Sequence, residues 1–168
     1  MFILEDLNPG PPQMLCGWLS VKGSIRDPFE VLRTARVVAV VGASRNPEKD
    51  AYRVPEYLKK AGYRIIPVNP SADEILGEKA YPSLDEIPDE IAREVDVVDV
   101  FRPPREAEAV AEQAIRLARR AGRRIVVWFQ KGTASEEAVK KLLDAGLDVV
   151  VDRCMMEEHR RMTASAQA

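Results

Sequence analysis

Arg36-Val37-Val38-Ala39-Val40-Val41-Gly42-Ala43-Ser44 is the stretch on which the fold turns. The five apolar residues 37–41 show no alternation with polar ones, so the strand they predict is covered on both faces. The glycine after it lets backbone approach closely whatever lies beyond the strand end. Downstream, Val54, Tyr57, Leu58 and Ala61 stand at i, i+3, i+4 and i+7, the spacing of one helix face. Tyr63-Arg64-Ile65-Ile66-Pro67-Val68 is the next strand. Pro67 has no amide hydrogen and belongs where the sheet ladder can spare a donor.

Farther out the alternation continues. Residues 69–95 are less regular, with a short strand expected over 78–81 and a small helix over 84–87. Residues 96–101 read as a strand, and a long helix over 104–121 turns Ala107, Val110, Ala111, Ala114, Leu117 and Ala118 inward. Residues 125–129 form a strand, and Thr133 with Glu136 has capping-box spacing for a helix carrying Val139, Leu142 and Leu143. Residues 148–151 form the last strand. Upstream, Asp27, Pro28 and Glu30 have the spacing of an N-cap, N1 and N3. Ala-Gly pairs at 61–62, 121–122 and 145–146 each close a helix just before a strand, since glycine accepts the positive φ of a helix stop. Repeated βα alternation with short returns requires parallel strands and right-handed crossovers. The expected fold is α/β: a doubly wound, mostly parallel sheet with helices on both faces.

The chain has 168 residues, enough for one domain without a metal or disulfide staple. Residues 24–168 are expected to form that domain. Residues 1–23, interrupted by Pro9-Gly10-Pro11-Pro12, read as a loosely held extension. The rival reading is a short packed strand using Leu15, Trp18, Leu19 and Val21. Twenty-five Lys and Arg against 27 Asp and Glu give a net charge of −2, which disfavours a duplex nucleic-acid binder. No apolar run approaches the ~20 residues that cross a bilayer. The acids and prolines of the first 13 residues exclude a signal peptide. Cys16 and Cys154 form no CxxC, in keeping with a reduced, cytoplasmic protein.

Ligands of open parallel sheets bind beyond the carboxyl ends of the strands, where connections diverge. The loops at those ends carry Arg45, Lys49, Arg53, Arg102, Arg105 and Lys131. A cationic rim in an acidic chain suits a phosphorylated ligand, because Arg forks onto phosphate oxygens and Lys acts as a point charge. The dinucleotide pattern G-x-G-x-x-G is not met: Ser44 and Pro47 replace its second and third glycines, and Asn69-Pro70 stands where a ribose-binding acid is expected. NAD is therefore disfavoured, whereas NADP stays open through Arg contacts to a 2′-phosphate. GxxxxGK[ST] does not occur, which argues against a P-loop ATPase.

Several motifs now carry a resemblance. In order they are Val40-Val41-Gly42-Ala43-Ser44, Tyr52-Arg53-Val54, Pro67-Val68-Asn69-Pro70 and Val98-Asp99-Val100-Phe101-Arg102-Pro103-Pro104. Val127-Trp128-Phe129-Gln130 and 152–159, Asp-Arg-Cys-Met-Met-Glu-Glu-His, follow. Over about residues 24–162 the chain resembles the small stand-alone CoA-binding proteins, whose fold is similar to the N-terminal CoA-binding domain of the succinyl-CoA synthetase α subunit. The resemblance implies a Rossmann-like domain holding coenzyme A non-covalently. It places Gly42, Ala43, Ser44 and Arg45 along the pyrophosphate and Lys49 and Arg53 at phosphates. Asn69 and Pro70 would border the adenosine, Phe101, Arg102 and Pro103 would flank the ligand, and Gln130 would close the pantetheine end.

The same resemblance bears on chemistry. The synthetases pass a phosphoryl group through a histidine of a second domain with an ATP-grasp partner, and this chain is too short for either. His159, the single histidine, is expected to cap or pack. Cys154 and His159 alone cannot make a zinc site, which takes about four ligands. Cys154 beside Arg153 is a candidate for a mixed disulfide with CoA, against the simpler reading of a buried small hydrophobe. Trp128 and Phe129 read as core, and the arginines 119, 120, 123 and 124 as solvated helix faces and ends. The expected function is binding of CoA or an acyl-CoA as carrier, sensor or regulator, without catalysis, nucleic acid or membrane. No protein partner is identified, and a homo-oligomer stays open. The alternatives are a CoA-binding component of a multi-subunit acyl-CoA ligase and an NADP-dependent oxidoreductase.

Overall fold

The computed structural model describes residues 22–167. Expectations about residues 1–21, including Cys16 and the packed strand, lie outside the described residues. The order is α1 Pro28–Thr34, β1 Val37–Val41, α2 Asp50–Lys60, β2 Arg64–Val68, β3 Glu74–Ile75, β4 Glu78–Lys79 and α3 Asp89–Ala92. It continues with β5 Val97–Val100, α4 Ala107–Ala121, β6 Val126–Phe129, α5 Glu136–Asp144, β7 Asp148–Val151 and α6 Met155–Gln167. Single 3-10 turns span Leu84–Glu86 and Pro104–Glu106, the latter making the first turn of the long helix read from sequence.

Five strands form one parallel sheet in the order β2-β1-β5-β6-β7. Strand side chains alternate between two apolar layers. Val37, Ala39, Val41, Val98, Val100, Val127 and Phe129 meet α4 and α5, while Val38, Val40, Val97, Trp128 and Val150 meet α1, α2 and α6. Both layers bury apolar side chains, which is why the strands read as largely apolar runs. Trp128 and Phe129 are fully buried. Pro67 lies in β2, an edge strand, so its missing donor leaves no gap in the ladder. Gly62, Gly122 and Gly146 all take positive φ at the three expected helix stops.

Residues upstream of Asp27 join the sheet, and three local expectations are corrected. Pairing begins before Asp27: Arg26 N donates to Val149 O and Val149 N to Ser24 O, which attaches residues 24–26 to the edge of β7. Asp27 makes no side-chain cap, and Glu30 accepts from Arg26 Nε at 2.9 Å instead of closing a capping box. The cap of α5 is Ser135, whose Oγ accepts from Ala138 N, while Thr133 Oγ1 turns back to Gln130 O. Arg120, Arg123 and Arg124 are not simply solvated: their forks bond the carbonyls of Leu84, Ile87, Arg93 and Gly146, tying loops that lack secondary-structure partners.

Three elements, β3, α3 and α6, had no counterpart in the sequence reading. The strand over 78–81 shortens to β4, which pairs antiparallel with β3 through a two-residue turn at Leu76 and Gly77, both at positive φ. Helix α6 packs across α1 and α2 through Met155, Met156 and Met162, and its His159 meets Tyr57 Oη at 2.9 Å through Nδ1. Tyr57 and Tyr63 both stand edge-on to that imidazole, so His159 packs as expected. Burial pushes its pKa down.

Candidate functional site

The order β2-β1-β5-β6-β7 reverses direction between β1 and β5, and the connections leaving these two strands pass to opposite faces. A crevice opens at such a point, outside the carboxyl ends of the strands. Gly42 occupies it at φ +89°. A Cβ there would fall 2.7 Å from Arg102 Cδ and 3.1 Å from Phe101 O, so only glycine lets the two strand ends come together. Gly42 N donates to Val68 O at 2.9 Å and Phe101 N to Val41 O at 2.8 Å, which fastens the ends of β1, β2 and β5 to one another.

The loop after β1 is held by its own side chains. Asn46 N donates to Ser44 Oγ and Glu48 N to Asn46 Oδ1, each at 3.0 Å. Pro55, inside α2, has no amide to bond the carbonyl of Ala51 four residues back. Ser44 N takes that carbonyl at 3.1 Å, so the loop is anchored by the bond the helix gives up. Asn69 bridges the loops after β1 and β2, donating from Nδ2 to Ala43 O at 2.8 Å and accepting from Ser71 N through Oδ1.

Hollows lie on both sides of this ridge. One of about 200 Å³ lies toward α4 and is bounded by Gly42, Pro70, Ser83, Arg102 and Gln113. The other, about 480 Å³, lies toward the β3–β4 hairpin and is bounded by Arg45, Tyr52, Ser71, Asp73 and Leu76. Tyr52, Ser71, Ser83 and Gln113 were not among the site residues expected from sequence. A larger hollow of about 710 Å³ lies between α5 and β7, against Ala134, Val139, Leu143 and Val151. None of the twelve expected site residues borders it.

The structure brings Gly42, Ala43, Asn69, Phe101 and Arg102 into direct contact, and Pro70 joins them along one hollow. Ser44 and Arg45 continue the same loop. The expected convergence of six cations is met only in part. Arg102 forks onto Glu106 at 2.8 and 3.1 Å and holds that carboxyl below its ordinary pKa. Arg53 binds Asp50 and Glu48 O, and Lys131 reaches across to Glu157 at 2.7 Å. The side chains of Arg45 and Lys49 make no hydrogen bond or ion pair with a described residue, so their charge is available to a ligand.

Farther along the sheet edge, Gln130 is 5 % exposed and donates from Nε2 to Asp99 Oδ1 at 2.6 Å. Cys154 is buried against the same layer as Trp128, and burial pushes its thiol pKa up. Arg153 does not favour a thiolate there: its guanidinium lies 3.7 Å from the buried Glu158 carboxylate. Cys154 thus behaves as the small hydrophobe of the simpler reading.

A family model described as "CoA binding domain" matches residues 36–160. The chain is 38% identical over 130 residues to uncharacterized protein YneT of Bacillus subtilis, covering 77% of this chain and 90% of that one. It is 40% identical over 81 residues to an ADP-forming acetate–CoA ligase II of Archaeoglobus fulgidus, 47% of this chain but 12% of the ligase. A solved hypothetical protein from Pyrococcus horikoshii superposes with a TM-score of 0.73 at 45% identity, covering 82% of this chain and 90% of the other. No helix among the described residues is long and apolar enough to cross a membrane.

Proposed function

The chain belongs to the CoA-binding-domain family, and on that premise we propose that the crevice above β1, β2 and β5 holds coenzyme A or an acyl-CoA non-covalently. The observation that carries the reading is Gly42 at the sheet's switch point, where a Cβ would strike Arg102 and Phe101, so that the ends of β1 and β5 close together beside a hollow that the glycine borders. A pyrophosphate can lie against this backbone with Gly42, Ala43 and Ser44 beneath it, and Arg45 and Lys49, whose side chains have no partner among the described residues, supply positive charge. Asn69 and Pro70 border the adenosine, Arg53 approaches a phosphate after leaving Asp50, and Phe101, Arg102 and Pro103 line the passage toward α4. Gln130 closes the pantetheine end.

The protein acts in the cytoplasm as a carrier, sensor or regulator of CoA. A second reading, a CoA-binding component of an acyl-CoA ligase, draws support from the 81-residue match to an acetate–CoA ligase. The two separate on a partner: the ligase reading requires CoA thioester formation when a nucleotide-binding subunit is added. Thermal shift with CoA, acetyl-CoA, NADP, NAD and ATP tests the ligand. Stabilisation by CoA species is expected; stabilisation by NADP with none by CoA overturns the reading.

A further inference from the structure

Asp99 is a polar residue that packing does not explain. It stands in the middle of β5, opposite Val40 on one side and Trp128 on the other, with none of its surface exposed. Its Oδ1 accepts from Gln130 Nε2, while Oδ2 is buried with no hydrogen-bond partner among the described residues. An acid in this place costs stability, because its charged form loses water without gaining a counter-charge. Every other inward position of β1, β5 and β6 holds an apolar side chain. A costly exception beside a binding crevice points to a role there.

Gln130 is the link between the two. It is the first residue past β6, its backbone N donates to Val100 O, and its side chain runs back to the middle of β5. Its Nε2 is taken by Asp99, while its Oε1 makes no hydrogen bond to a described residue and is not a sealed buried atom. We propose that Asp99 is a positioning residue that sets the polarity Gln130 shows to the ligand. An ionised carboxylate only accepts hydrogen bonds, so it holds the amide NH₂ inward and leaves Oε1 outward as an acceptor. A protonated acid can donate to Oε1, which lets the amide turn over and present NH₂ instead. The inference rests on the reading of the crevice as a CoA site: the pantetheine arm carries amide N–H groups that need an acceptor.

Burial raises the Asp99 pKa to about 7, so both forms are populated near neutrality. The groups packed around it leave this titration to Asp99 itself. From the start of α6 it faces the Cys154 thiol, whose own pKa is raised by burial and so stays neutral. From β6 it faces Trp128 and the uncharged Gln130, and Val40, Val54, Val150 and Met155 of the same layer are apolar.

The test has two readouts on the full chain. In ¹⁵N-glutamine-labelled protein without ligand, the Gln130 side-chain amide, assigned by its loss in Gln130→Ala, shifts with pH near neutrality. In Asp99→Asn it does not. In calorimetry, CoA affinity falls about tenfold from pH 8 to pH 6, the worth of one hydrogen bond, and varies less than about twofold in Asp99→Asn. A pH-independent Gln130 amide in the wild type overturns the inference whether or not CoA binds. Equal pH profiles of CoA affinity in the two proteins overturn it as well. A titrating amide in a protein that binds no CoA upholds the switch and rejects CoA as its ligand.

Discussion

Replacing Asp99 by asparagine should make the protein more stable above neutrality and leave it nearly unchanged in mild acid. The acid's pKa is about 7 in the folded chain against an ordinary 3.8, because burial strips the carboxylate of water and the single bond from Gln130 only partly offsets the loss. Folding therefore favours the protonated acid. The contribution to stability is complete below the unfolded value and declines as pH rises from about 4 to about 7. At about 1.4 kcal/mol per pKa unit, the loss reaches about 4 kcal/mol. Asparagine keeps the shape and can still accept from Gln130 Nε2, yet it never ionises. Urea denaturation of both proteins at about pH 4 and about pH 8 measures the effect. The difference between them should grow by about 4 kcal/mol toward alkaline pH, in favour of Asp99→Asn. Groups titrating elsewhere are common to both chains and cancel. If the two stabilities run parallel across this range, Asp99 is either hydrated or paired in solution, and the account of its burial is wrong.

Other consequences are more local. Arg45→Ala should weaken CoA binding about tenfold or more in calorimetry while leaving the melting temperature unchanged, since the Arg45 side chain has no partner to lose among the described residues and a charge-assisted bond contributes about 1.5–3 kcal/mol. Ser135→Ala removes the acceptor of Ala138 N and should cost about 1 kcal/mol in chemical denaturation, whereas Thr133→Ala leaves α5 capped. His159 is held below the ordinary imidazole pKa, so the unfolded chain binds its proton more readily and stability falls as pH drops through about 6.5. His159→Asn should flatten that acid limb, seen as melting temperature against pH; an unaltered limb would show that the burial of His159 does not govern it.

The sheet was legible because its strands are buried on both faces and β1, β5 and β6 are each followed by a helix with a clear apolar stripe. Burial on two faces writes an unbroken apolar run into the sequence, as in 37–41, and parallel pairing follows from the intervening helices. Helix α6 escaped because it buries only Met155 and Glu158 fully, too narrow a stripe to read against exposed neighbours. The cap of α5 was misassigned because Thr133 has an acid, Glu136, three residues on, whereas Ser135 has Ala138 there, and only backbone geometry shows that Ser135 is the cap.

The strand ends that bear candidate residues were likewise visible, since any βα unit places its loop at the carboxyl edge. Their mutual arrangement was not. Composition gave six cations at one edge, yet Arg102 and Arg53 turn to Glu106 and Asp50 within one helical turn, and Lys131 reaches Glu157 across the fold, because these carboxylates compete with any ligand. Tyr52 and Ser83 entered the picture only through hollows formed by segments distant in the chain.

By itself, then, the chain's pattern of apolar runs, helical stripes and glycine stops determined the α/β class, the parallel strands and the glycine at the first turn. These are local signals, each written within a dozen residues. Tertiary structure alone decided that β5 lies beside β1, that Gly42 faces Phe101 across a gap too small for a Cβ, and that an acid in β5 holds the amide of Gln130. Those facts join residues about 30 to 60 positions apart, and sequence carries no local trace of such contacts because they arise only when the layers close.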